Sequence, residues 1–312
     1  MTAFLQNKTY IPVIAATIFT IIAAIFAYDW MSDIQYVLLI AGSILIGIPH
    51  GATDNHIFLK SDLFQTKHRK LLFYTSYLLI AGLYGIFWIA FPAAALIIFL
   101  LISVFHFGQS NLFYLSLNQN IYYRVFISVL WGSYALGLPL LFHAEEALPV
   151  IEKILGYAVF SATRIHAISW PLAISLFITN SGMLVIFKLT GHIRTSQFIK
   201  EIINLLILGV LAYFAPLFIA FFTYWIFWHS TNSIIEINNF LFGKNRKRKI
   251  KMFYKKSWPL SLISILGIAG IILSSNQLGS IEGMLSLYFI FVAVLTLPHV
   301  IMMDWLYAHR VK

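Results

Sequence analysis

The stretch Gly47-Ile48-Pro49-His50-Gly51-Ala52-Thr53-Asp54 closes an apolar run that begins near residue 34. A run of that length and character belongs inside a lipid bilayer, so its polar end decides how the chain is read. A charged group at such a depth costs about 2.5–3.5 kcal/mol on insertion scales, which makes a functional site the default reading. Pro49 removes one donor from the helical ladder and strands the carbonyl of Leu45, while Gly47 and Gly51 let another backbone or a ligand approach. His50 and Asp54 stand one helical turn apart on the same face. A kinked helix whose His and Asp satisfy each other is the plain alternative for this stretch taken alone.

The rest of the chain agrees with the bilayer. Its 312 residues are 60% hydrophobic and 10% charged, against about 25% charged in an average soluble domain. The mean hydropathy is +0.86, and apolar runs recur throughout. The expected fold class is therefore all-α: a polytopic transmembrane bundle forming a single integral-membrane domain over 1–312, in a multi-pass cell-membrane protein. Cysteine is absent, which excludes thiolate metal sites, Fe–S clusters and disulfides. The segment from Tyr10 to Tyr28 is long for a signal-peptide core and lacks a clear small-residue cleavage site, so it reads as a helix.

Ten spans are predicted, at about 10–28, 34–58, 71–91, 93–115, 122–142, 169–189, 198–214, 217–240, 258–275 and 283–308. The segment 144–168 reads as a long loop with an interfacial helix. With a cytoplasmic N-terminus, all of the 21 Lys and Arg except Lys153 and Arg164 fall on the cytoplasmic side. This positive-inside asymmetry predicts that both termini are cytoplasmic. The net charge of +10, with its basic run at 244–256, is then a topology signal touching anionic lipid, and no nucleic-acid partner is expected.

Four of the ten histidines lie in apolar sequence: His50, His106, His229 and His299. They fall one each on the second, fourth, eighth and tenth spans, all running from outside to inside. Each stands about 12–16 residues from its expected outer end, a spread of about 6 Å at 1.5 Å per residue. Four imidazoles can thus meet in one layer. A lone membrane histidine is usually a hydrogen bond between helices. Four at one depth, each in a polar or Gly/Pro-rich stretch, suit a metal, for which neutral imidazole is the commonest ligand. Asp54, Glu236 and Asp304 are the acids expected on these spans. They can orient ligand imidazoles as acceptors, or, for Glu236 and Asp304, reach to the cytoplasmic interface.

The spacing excludes several site types. Membrane diiron enzymes use closely spaced histidine boxes, and none occurs. A b-type haem protein usually pairs histidines on shared helices, whereas here there is one per helix. No P-loop, dinucleotide fingerprint or nucleophile–base pair is present. A mononuclear four-histidine site remains.

At these residues the sequence resembles a known family. The stretch Gly47 to Asp54, then His106-Phe107-Gly108, Tyr224 through His229-Ser230, and Leu297-Pro298-His299 through Asp304 are similar to motifs of the Brp/Blh integral-membrane β-carotene 15,15′-dioxygenases. The likeness runs from about 36 to 308, leaving the first helix as an addition. It implies Fe(2+) bound by His50, His106, His229 and His299. It also implies O₂-dependent cleavage of the central double bond of β-carotene to two retinals, and functional coupling to a microbial rhodopsin. The sequence departs from the family at Asn111, where relatives often carry Asp, and at Ser233, where some carry a further His.

A carotenoid dissolves only in lipid, so its enzyme should open sideways into the bilayer. Phe105, Phe107, Tyr224, Trp225 and Trp228 crowd two of the histidine stretches and can line a polyene tunnel, positioning one double bond. Packing against lipid is the ordinary role of such rings. Two other functions suit the sequence: a transporter moving protons or a metal ion through the His/Asp cluster, and a non-catalytic carotenoid or retinoid binder.

Overall fold

The computed structural model describes residues 10–115, 121–243, 249–275 and 279–309, and every regular element among them is helical. In chain order the helices are α1 (Tyr10–Phe26), α2 (Tyr28–Lys60), α3 (Arg69–Ala90), α4 (Pro92–Leu112), α5 (Ile121–Phe142) and α6 (Ala144–Leu155). They continue with α7 (Ala162–Leu189), α8 (Thr195–Phe214), α9 (217–242), α10 (Lys249–Ser274) and α11 (Ile281–His309). Among the described residues eight are long and apolar enough to cross a membrane, namely α2–α5, α7, α8, α10 and α11. The expected multi-pass helical bundle is therefore observed.

The two remaining expected spans differ from ideal ones for local reasons. Helix α1 has 17 residues, short of the roughly 20 a perpendicular span needs. Helix α9 carries His229, Ser230, Thr231 and Asn232 in its middle and is not regular. It consists of Leu217–Thr223, a seven-residue π-helical stretch Tyr224–Ser230, and Thr231–Phe242. Gly243 ends it at φ 78°, a backbone conformation that glycine adopts without a steric penalty.

Other boundaries move too. The span expected from 169 begins at Ala162, because Ser161 caps it by accepting from the Arg164 N–H. The span expected from 258 begins at Lys249, since long Lys side chains extend a helix past the apolar zone while keeping their charges in water. Within the segment 144–168, expected as a long loop, the structure has the twelve-residue helix α6 and the start of α7. Helix α6 carries Glu145 and Glu146 in its first turn and Lys153 in its last, which complements the helix dipole at both ends. Of the charges used for orientation, Lys8, Lys244, Arg246, Lys247, Arg248, Arg310 and Lys312 lie outside the described residues.

The polarity is distributed as lipid requires. Ile89 is 86% exposed, and Phe26, Leu189 and Phe19 are exposed as well, while His50, Asp54, His106, Ser110, Glu201 and His229 are buried. Hydrocarbon chains are as apolar as leucine, so close packing and hydrogen bonds between helices must hold such a fold.

The chain divides into two compact units. One comprises Met1–Gly42, Val104–Leu148 and Phe160–His229, and the other comprises Ser43–Ser103, Pro149–Val159 and Ser230–Lys312. In the first, α7 and α8 pack on α5, α1 packs on α8, and the start of α9 packs on the start of α2. Helices α4 and α5 cross closely. A β-carbon on Gly108 would run into the Ser128 backbone, and one on Gly132 into the Val104 backbone. Small residues are what permit such a crossing in lipid. In the second unit α11 packs on α3, and α10 packs on the turn Ile48–Gly51 and on α11.

Candidate metal centre

The four buried histidines form two pairs, one in each unit. In the second unit His50 and His299 stand with ring centroids 4.9 Å apart at 84°. The sequence breaks α2 to make this possible. Before Pro49 the helix widens to π geometry over Ser43–Gly47, resumes over Ile48–Gly51, and turns at Ala52 and Thr53 before Asp54 starts a last short segment. The Leu45 carbonyl that Pro49 strands accepts a hydrogen bond from the Tyr254 hydroxyl at 3.0 Å. Thr53 Oγ1 donates to the His50 carbonyl at 3.0 Å. Gly51 faces the His299 ring, where a β-carbon would sit 3.6 Å from Nδ1.

The break also redirects Asp54. The i+4 spacing pairs it with His50 on a continuous helix, but the turn swings it to His299, whose Nδ1 lies 3.0 Å from both carboxylate oxygens. The Tyr77 hydroxyl donates to Asp54 Oδ2 at 3.2 Å. A carboxylate only accepts, so His299 Nδ1 carries the proton and its Nε2 presents a lone pair.

In the first unit His106, on α4, and His229, in the π-helical stretch of α9, have ring centroids 4.7 Å apart at 72°. Wide π turns recur at functional sites because the extra residue offsets the side chains that follow. Ser110 Oγ lies 2.7 Å from His229 Nδ1 and 3.0 Å from the Phe107 carbonyl. The hydroxyl has one proton, and the carbonyl can only accept it. Ser110 therefore accepts from His229 Nδ1–H, and again Nε2 presents a lone pair. The Phe107 ring packs on His229 at 4.3 Å and on Tyr224 at 5.5 Å.

The remaining expected residues fall as follows. Phe105 is half-buried, whereas Phe107, Tyr224, Trp225 and Trp228 are buried. Trp225 stacks on Phe221 at 5.6 Å. Trp228 turns to α1, where its indole N–H donates to Thr17 Oγ1 at 2.9 Å. Glu236 is half-buried and accepts from Asn239 Nδ2 at 3.5 Å, and Asp304 is half-buried. Both departures from the family pattern have partners of their own. Asn111 Nδ2 donates to Glu201 at 3.1 Å, where a carboxylate would meet like charge. Ser233 Oγ lies 3.2 Å from the Tyr307 hydroxyl.

Sequence reasoning missed Ser110, Tyr77 and Glu201. Ser110 lies one turn after His106, in the polar run Gln109-Ser110-Asn111, a signal that was there to read. Tyr77 and Glu201 sit in ordinary membrane helices and carry no such mark.

Exposed apolar helix faces and buried imidazole pairs define an integral-membrane protein with nitrogen donors buried within each unit. The chain belongs to the beta-carotene 15,15′-dioxygenase family, whose profile matches residues 41–307. It is therefore a member of a dioxygenase, and so oxidoreductase, family. It is 29% identical over 268 residues to a beta-carotene 15,15′-dioxygenase of uncultured marine bacterium 66A03, covering 85% of this chain and 91% of that protein. It is 24% identical over 292 residues to a probable beta-carotene 15,15′-dioxygenase Blh of Halobacterium salinarum, covering 87% of this chain and 84% of that one. No solved structure matches the chain.

Proposed function

We propose that this protein cleaves the central 15,15′ double bond of β-carotene with O₂ to give two retinals, at one Fe(II) held by His50, His106, His229 and His299. The balance is simple: one carbon–carbon double bond and one O₂ become two aldehyde carbonyls. The observation that carries the reading is the pair of buried imidazole pairs, each with one Nδ1–H engaged by a protein acceptor, in a chain of this family. Ligand imidazoles need that second hydrogen bond to fix tautomer and orientation.

The donor set suits iron, being all imidazole with no thiolate in the chain. Iron, when bound there, would supply the means of activating O₂. The chain's own residues do the rest. Asp54 and Ser110 hold the tautomers of His299 and His229. Tyr77 steadies the Asp54 carboxylate. Phe107, packed on His229, and Tyr224, packed on Phe107, give the polyene apolar walls and hold it in register, so that positioning selects the bond cleaved. Burial keeps water from reactive species.

Both termini are cytoplasmic in this reading, as the Lys and Arg distribution suggests, and the host membrane is the cell membrane. Retinal released there is chemically suited to a microbial rhodopsin. Expression in β-carotene-accumulating cells tests the function: colour should be lost as retinal forms, and the His50→Ala, His106→Ala, His229→Ala and His299→Ala variants should leave the cells coloured. A wild-type strain that keeps its colour and forms no retinal overturns the proposal.

A further inference from the structure

We propose that α1, which lies outside the family-matched residues 41–307, is a positioning helix for the His106/His229 pair. The inference rests on the reading of those histidines as metal ligands. A helix added only as an anchor needs lipid-facing residues and no buried polar contacts. Helix α1 has two such contacts, and they lead toward the two histidine segments of its unit.

The first is at Thr17, which is fully buried. Its hydroxyl donates to the Val13 carbonyl at 2.8 Å, so its single proton is spent within the helix. What it offers outward is a lone pair, and the Trp228 indole N–H takes it at 2.9 Å. An indole N–H can only donate, so the two groups match in one sense only. Trp228 is the residue before His229 and lies in the π-helical stretch Tyr224–Ser230. Such a stretch interrupts the regular α-helical ladder with i→i+5 bonds, and the anchored indole helps fix the direction of the neighbouring imidazole.

The second contact is at Tyr10, whose hydroxyl donates to Asn204 Oδ1 at 2.6 Å. Asn204 Nδ2 donates in turn to Glu201 Oε1 at 3.1 Å. The buried Glu201 carboxylate also accepts from the Tyr114 hydroxyl at 2.5 Å and from Asn111 Nδ2 at 3.1 Å. Asn111 lies in the last turn of α4, one residue after the Ser110 that orients His229 and five after His106. The Lys200 ammonium lies 3.9 Å from the Tyr114 ring centre and 5.0 Å from that of Tyr10, adding a cation–π link between the same two segments. Tyr10 also meets Trp228 edge-on at 6.4 Å. Helix α1 thus reaches both histidine-bearing segments through buried polar groups, and retention of such groups in a membrane protein calls for a reason.

The test uses the full chain, Co(II) as the spectroscopic probe of metal affinity, and thermal unfolding as the measure of fold. Thr17→Val keeps the shape and removes the acceptor, Tyr10→Phe removes one oxygen, and Thr17→Ser keeps the acceptor. The Thr17→Val/Tyr10→Phe protein should bind Co(II) about 10-fold more weakly, the lower end of what outer groups contribute, and Thr17→Ser should bind as wild type. A lowered unfolding temperature with wild-type Co(II) affinity would mean a merely structural helix and overturns the inference. If Thr17→Val does not accumulate, Tyr10→Phe alone is read by the same criteria. His229→Ala separates the two levels. Wild-type Co(II) affinity in that variant removes the metal reading itself, whereas its loss there and full retention in the α1 variants removes only the role of α1.

Discussion

The two histidine pairs are built alike in shape and differently in chemistry. His299 donates to a carboxylate, Asp54, which is itself held by Tyr77, whereas His229 donates to a neutral hydroxyl, Ser110. A hydrogen bond to a charged group is worth about 1.5–3 kcal/mol and a neutral one about 1 kcal/mol. One pair is therefore oriented mainly by charge. The other is oriented mainly by packing, with Phe107 on the ring and the closely crossed helices α4 and α5 behind it. A metal site can be held rigidly by either route, but the two should fail differently when a supporting group is removed.

The largest effect should come from the four proposed ligands. Each single Ala substitution at His50, His106, His229 or His299 should abolish retinal formation together with bound iron. If all four variants keep wild-type iron, measured by elemental analysis, the pairs do not form the proposed centre and the comparison loses its subject.

Asp54→Asn comes next. It preserves shape and removes the charge, so metal affinity or activity should fall by roughly 10- to 100-fold with the fold intact. Full iron and full turnover in a folded Asp54→Asn protein would show that charge is not what orients His299. Ser110→Ala is the matched change on the other side. It removes about 1 kcal/mol of neutral hydrogen bonding, an expected loss of about 5-fold in metal affinity. An Ser110→Ala loss equal to that of Asp54→Asn would erase the distinction between the pairs.

A control outside both pairs should leave chemistry alone and touch only stability. His143 is buried at the end of α5, with Nε2 donating to the Ala212 carbonyl at 2.9 Å. Burial holds its imidazole below the ordinary range, opposed by the Ala212 bond and the nearby Glu146 and Glu145. Its folded form therefore binds fewer protons than the unfolded chain as pH falls through the unfolded value of about 6.5. Stability should accordingly decline on acidification through that window. His143→Gln should flatten that part of the unfolding profile while retinal formation at neutral pH stays near wild type. His192→Ala, at an exposed turn, should alter neither. A pH profile unchanged by His143→Gln would assign the acid sensitivity to other groups.

The sequence alone determined the helical class, the four buried histidines and the stranded Leu45 carbonyl. Each follows from near neighbours: apolar runs long enough for lipid, polar residues inside them, and a proline with no N–H to give. The family motifs were legible for the same reason, being contiguous in the chain. What only the tertiary structure decided is which group serves which. Asp54 meets His299 across 245 positions rather than His50 across four, because two residues outside helical geometry swing the carboxylate away. Trp228 reaches Thr17 across 211 positions, and Asn111 reaches Glu201 across 90. Periodicity assigns a residue to a face of its own helix, but a hydrogen-bond partner on another helix depends on packing, and packing is set by the whole chain.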